Sequence, residues 1–141
     1  SRKNMIDYTN QIHKAIDKVA SVITKEITGV PMSFSENRGN SSFFLSPISD
    51  NVVERFATTV IRQYTLLLVY EITTGGQYSE NVFKQLSNIA ERVKVIFSGN
   101  QSSTEDEYFN GVCESVEYER DDEDQSKARV NITLTVQRLE S

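Results

Sequence analysis

Residues 63–72, QYTLLLVYEI, have fewer ways to fold than any other part of this chain. The run is nearly continuously apolar and rich in strand formers, and it is far shorter than the roughly 20 residues that span a bilayer. Such a run reads as a central β-strand covered on both faces. It needs strands beside it to satisfy its backbone and helices or sheet above it to keep water away. The rest of the chain therefore has to supply both.

Two helical stripes provide the cover. Over residues 7–27, Ile12, Ile16, Val19, Ile23 and Ile27 recur at three- and four-residue spacing, with Ala15, Ala20 and Val22 beside them. That spacing lines one face of an amphipathic helix. Lys14, Asp17, Lys18, Lys25 and Glu26 form its wet side, and Gly29 and Pro31 end it. After the strand, Thr73-Thr74-Gly75-Gly76 makes a turn, and Ser79 is a candidate N-cap with Glu80 in the first turn. Over residues 79–97 the stripe is Val82, Leu86, Ile89, Val93 and Ile96, widened by Phe83, Ala90 and Phe97, with Gly99 as the stop.

The flanking strands are read from shorter patterns. Residues 32–36 and 42–48 are apolar-aromatic pieces around Asn37-Arg38-Gly39-Asn40, a turn cluster that predicts a hairpin. Pro47 is expected to break the chain, with one short helical turn at 49–54. Beyond a polar stretch at 100–110, Val112, Val116 and Tyr118 alternate with Cys113, Ser115, Glu117 and Glu119. Val130, Ile132, Leu134 and Val136 then alternate with Asn131, Thr133, Thr135 and Gln137. Period-two alternation means one face on the core and the other wet. The acidic tip Asp121, Asp122, Glu123 and Asp124 joins the two strands into a long antiparallel hairpin. No internal repeat or low-complexity linker appears. The expectation is one α+β domain over residues 1–141, an antiparallel or mixed β-sheet packed against two main helices. At this length a chain buries about 70% of its unfolded surface, and 38% hydrophobic residues suffice for a core.

Catalytic chemistry is not expected. A triad or a Cys–His pair needs a nucleophile, a base and an orienting group in reach of one another. The one histidine, His13, flanks the first apolar stripe and reads as a surface or boundary residue. Cys113, the one cysteine, has acidic neighbours in Glu114 and Glu117 that disfavour a thiolate. It also excludes an internal disulfide and a cysteine zinc cage. Gly75-Gly76 lacks the Lys-Ser/Thr of a phosphate loop, and the acidic tip lacks the glycine and terminal Glu of a calcium loop. No catalytic residue, metal ligand or cofactor site is assigned. Fifteen basic residues are scattered and outnumbered by 20 acidic ones, for a net charge of −5. Duplex binding needs clustered Lys and Arg, so direct nucleic-acid recognition is not expected either. The opening SRKNMIDYTN lacks the apolar stretch of a secretory signal. With a single cysteine, this points to a reducing compartment, the cytoplasm of the cell that makes the protein.

The order of elements is itself informative. A helix over residues 7–27, a short hairpin, QYTLLLVYEI at 63–72, a helix at 79–97 and the closing hairpin CESVEYERDDEDQSKARVNITLTVQRLE at 113–140 span nearly the whole chain. This order resembles the tail terminator (tail completion) proteins of long-tailed bacteriophages. The resemblance implies a structural virion protein that forms a hexameric ring at the head-proximal end of the tail tube. Such a ring stops tube growth and joins the tail to the neck. The implied partners are further copies of the chain, the tail tube protein, the neck or head–tail connector, and the sheath if the tail is contractile. DNA would only pass through the lumen, which an acidic surface suits, and no membrane is involved. The implied location is the tail and neck of a virion assembled in the host cytoplasm.

A ring needs contacts that close by rotation, and sheet edges and projecting hairpins are natural places for them. The candidate interface residues are Phe43 and Phe44 in the 33–45 region and Glu117, Glu119, Asp121, Asp122, Glu123, Asp124 and Arg129 in the 113–138 hairpin. Other readings compete: a neck adaptor or connector ring, a small ligand-binding or enzymatic α+β domain marked by an apolar pocket with converging polar groups, and an adaptor unrelated to phage that shares only the element order.

Overall fold

The computed structural model describes residues 9–34, 41–104, 107–120 and 126–140. The elements run α1 (Gln11–Glu26), β1 (Met32–Ser33), β2 (Ser42–Arg55), β3 (Val60–Thr73), α2 (Glu80–Gly99), β4 (Phe109–Arg120) and β5 (Lys127–Glu140). The strands form a five-stranded mixed sheet in the order β1-β2-β3-β5-β4. β3 holds the middle position and pairs antiparallel with β2 on one side and β5 on the other. The fold is α+β, with both helices against one face of the sheet.

The cover over β3 is one-sided, which corrects the expectation from its apolar run. Its helix-side residues Tyr64, Leu66, Leu68, Tyr70 and Ile72 join the buried stripes of both helices and Val130, Ile132, Leu134 and Val136 of β5 in one core. On the other face no helix of the described residues lies over Val69 or Glu71, yet they are only 3% and 8% exposed. Their cover is the longer side chains of flanking strands, Phe44 opposite Val69 and Arg129 opposite Glu71. Cross-strand neighbours thus do what a second helical layer would otherwise do.

β2 differs most from its sequence reading. The predicted 32–48 hairpin does not form: β1 pairs parallel with β2, Met32 beside Phe43 and Ser33 beside Phe44. Residues 35–40, which carry the turn cluster, lie outside the described residues. Pro47 does not break the chain either, and the helical turn expected at 49–54 is strand. The reason is geometric. The Phe43 N–H donates outward to the Pro31 carbonyl at 2.8 Å. Alternation points the Pro47 nitrogen the same way, away from β3, so the donor it lacks takes nothing from the β2–β3 ladder. Irregularities between Pro47 and Ser49 and between Val52 and Glu54 follow. The β2–β3 turn closes with the Phe56 N–H on the Thr59 carbonyl at 2.7 Å.

In β4 a second irregularity, between Cys113 and Ser115, resets the alternation. Cys113, Val116 and Tyr118 stand opposite Leu134, Ile132 and Val130 on the helix side, while Val112 stands opposite Thr135 on the open side. Cys113 was expected on the polar face and Val112 on the core. One inserted residue exchanges them. β5 follows its predicted alternation, with Val130, Ile132, Leu134 and Val136 fully buried.

The helix ends show their causes. Ser79 caps α2, its hydroxyl accepting from the Val82 N–H at 3.3 Å. Gly75 and Gly76 before it have φ of 75° and 103°, a region side chains avoid. α1 starts at Gln11, later than predicted, because Asn10 caps it through the His13 N–H; Asp7 and Tyr8 lie outside the described residues. No helix among the described residues is long and apolar enough to cross a membrane.

Candidate functional site

The helix-free face of the sheet is the candidate site, and pairing fixes its layout row by row. The first row crosses Ser42, Glu71, Arg129 and Glu119, the second Phe44, Val69, Asn131 and Glu117, and the third Ser46, Leu67, Thr133 and Ser115. With Lys127, all of these but Ser42, Ser46 and Ser115 line a trough of about 550 Å³. Its floor is apolar on the β2–β3 side, at Phe44, Leu67 and Val69, and charged on the β4–β5 side.

The charged side is a connected network. The Arg129 guanidinium donates from Nε to Glu71 at 2.5 Å and from Nη1 to Glu119 at 3.0 Å. The second oxygen of Glu119 accepts from the Asn131 amide at 2.7 Å. Glu71 is nearly buried, and a carboxylate in that position requires a cation and hydrogen bonds to offset lost hydration. Arg129 meets the need with a planar fork that reaches two carboxylates at once. The network ties β3, β5 and β4 together sideways, so this side of the trough has a fixed shape. Farther along the face the hydrogen bonds continue, from Thr135 to Glu114 at 3.0 Å and from Gln137 to Gln63 at 3.2 Å.

Of the residues singled out from sequence, Phe44, Glu117, Glu119 and Arg129 come together around this trough. Phe43 does not. It is fully buried on the helix side, packed on Tyr70 with ring centroids 5.2 Å apart. This is a correction forced by strand alternation, since adjacent residues point to opposite faces. Asp121, Asp122, Glu123 and Asp124 lie outside the described residues. Sequence reading missed Leu67, Val69, Glu71, Lys127, Asn131 and Thr133. A signal for Glu71 was present: a lone carboxylate in an otherwise apolar strand demands a cation across from it.

The groups tested for catalysis sit elsewhere. His13 is exposed, paired with Asp17 at 3.2 Å and stacked near Phe34. Burial pushes the Cys113 thiol up; the Lys94 ammonium lowers it, and the Glu114 and Glu91 carboxylates raise it. Among the described residues no group of three or more His, Cys, Asp and Glu stands ready to hold a metal ion. What this face presents is an apolar floor next to a charged border held by hydrogen bonds.

No protein-family model matches the sequence, and no curated protein matches it either. Among solved structures, the chain is similar to one chain of a structure described as the virion of a native gene transfer agent (GTA) particle. The TM-score is 0.60 at 10% sequence identity, over 93% of this chain and 95% of that one. At that identity the likeness is one of fold, and it extends over nearly the whole of both chains.

Proposed function

We propose that this chain is a structural protein of a phage-like virion, and that its place there is the tail terminator. In this role it forms a ring, six-fold in the family it resembles, on the head-proximal end of the tail tube. The ring ends tube polymerisation and presents a surface to the neck. The observation that carries the reading is the likeness in fold, over 93% and 95% of the two chains, to a chain of a virion particle. Two features support it. The helix-free sheet face is laid out for protein contact, with a rigid charged border and an apolar floor. The net charge of −5 suits a lumen through which DNA slides without adhering.

The test is to mix purified protein with tail tubes and follow mass under native conditions together with electron microscopy. Tubes capped at one end, and shorter when the protein is present during their growth, are the expected result. A folded protein that stays monomeric and leaves tube length and ends unchanged overturns the reading. Binding to connector rings but not to tubes would transfer the chain to the neck.

A further inference from the structure

Half of the large apolar side chains left exposed among the described residues gather at one end of the sheet. Ile48, Val52, Val53 and Phe56 lie on the β2–β3 hairpin, and Leu139 stands beside it. From Pro47 to Arg55 every residue of β2 is exposed except the half-buried Ser49. This stretch is an arm that the other described residues leave uncovered. Scattered apolar residues on a surface are ordinary, whereas a cluster of this kind marks a contact.

The arm is poorly suited to receive a further strand. Pro47 removes one outward donor, and the irregularities at 47/49 and 52/54 break the register that backbone pairing needs. What it offers is side chains. Their charges exclude a nucleic acid or an anionic lipid surface as the occupant: Asp50 and Glu54 balance Arg55 and Arg62, and Arg62 is already bonded to Asp50 at 3.0 Å and Glu140 at 3.1 Å. The occupant is a protein surface with an apolar floor and charges of both signs. The trough on the helix-free face has that composition. Phe44 and Leu67 form its floor, and Lys127 and Glu117 stand on its border.

We infer that the arm of one copy docks in the sheet trough of the next, with Ile48, Val53 and Phe56 over Phe44 and Leu67 and with Glu54, which pairs with Ile61 on the open-face side of the ribbon, facing Lys127. The two surfaces cannot meet within one chain. Phe44 lies near the start of β2 and Phe56 just past its end, about 40 Å apart at roughly 3.3 Å per residue. The contact is therefore between copies and head-to-tail, the kind that closes into a ring when each step turns through a fixed angle. This inference rests on the ring reading above and names the interface that would build it.

The experiment uses two variants and their mixture, followed by native mass spectrometry with circular dichroism as the check on folding. The arm variant is Val53→Asp with Phe56→Asp, and the trough variant is Leu67→Glu. Each alone is expected to stay monomeric where the wild type assembles. Mixed in equal amounts they are expected to give a dimer and nothing larger, because the arm variant keeps an intact trough and the trough variant an intact arm. An arm variant that assembles like the wild type overturns the inference and leaves the ring reading standing. So does a mixture of folded variants that stays monomeric. A wild type that never assembles, even on tubes, overturns the ring reading and this interface with it. If Leu67→Glu fails to fold, the pair Glu54→Lys and Lys127→Glu replaces it. Each single swap is expected to weaken assembly about tenfold and the double swap to restore it; no restoration overturns the contact.

Discussion

The two halves of the β2–β3 ribbon are continuous strands with opposite surroundings. At one end Phe43 and Leu45 pair with Tyr70 and Leu68 beneath both helices. At the other, Val52 and Arg55 pair with Arg62 and Val60, and both Val52 and Arg55 are exposed. Strand pairing is therefore common to both halves, and only burial separates them. Hydrogen bonds give the ribbon its length, while the core gives half of it its stability. The boundary lies near Tyr64, whose hydroxyl bonds to Glu140, and near Tyr108, which stacks on Phe97 and donates to the Asn100 carbonyl at 2.7 Å.

This contrast can be broken or sharpened by substitution. The largest effect belongs to the covered half. Leu68→Ala removes a fully buried side chain and should cost about 2–5 kcal/mol in urea unfolding. A loss below about 1 kcal/mol would mean that the core carries less than its burial implies. At the boundary, Gly111 leaves no room: an added Cβ would stand 3.2 Å from the Gln101 carbonyl oxygen and from Tyr108, and 3.3 Å from Phe97. Gly111→Ala should therefore cost about 1–3 kcal/mol by overpacking, read as a fall in the thermal midpoint.

Tyr108→Phe is smaller, about 1 kcal/mol for one hydrogen bond, but it carries a pH signature. Burial, and after it the charge of Glu107, pushes the phenol up to about 12 from an ordinary 10.0. The folded state then holds this proton more tightly than the unfolded state does. The stabilisation is complete below pH 10 and is lost as pH rises towards about 12. Tyr64, also raised by burial and by Glu140, adds to the same alkaline fall, so Tyr108→Phe should shrink the slope of stability against pH without abolishing it. The smallest effect belongs to the arm. Val53→Ser should change stability by no more than about 0.5 kcal/mol, and a cost near that of Leu68→Ala would show that the arm is buried after all.

Legibility in the sequence followed the same divide. Where a side chain has one environment available, pattern was enough. The stripes of α1 and α2, the Ser79 cap and the alternation of β5 were all readable because burial fixes which residues must face the core. It failed where one backbone detail changes the face of everything after it. The irregularity beside Glu114 exchanged Val112 and Cys113, and nothing in GVCESVEYE announces it. Pro47 read as a break because the sequence does not say that its nitrogen faces away from β3, where the ladder needs no donor. In the candidate site, Phe44, Glu117, Glu119 and Arg129 were named, but Phe43 was named beside Phe44, and only a definite register can separate two adjacent aromatic residues. The trough itself depends on side chains from four strands, and their assembly is a property of topology that no local pattern carries.

The sheet order also has a consequence for how the chain is made. β5 sits between β3 and β4, although both precede it in sequence. Until residues 127–140 have left the ribosome, β3 presents an unpaired edge, β4 has no strand to join, and Val130, Ile132, Leu134 and Val136 are missing from the core. α1, α2 and the β2–β3 hairpin can form early from local contacts, but the sheet closes by pairing residues from opposite halves of the chain, a step slowed by the loop entropy it must overcome. Synthesis therefore leaves an interval in which the nascent protein shows a bare apolar strand edge, the condition under which chains aggregate or recruit chaperones.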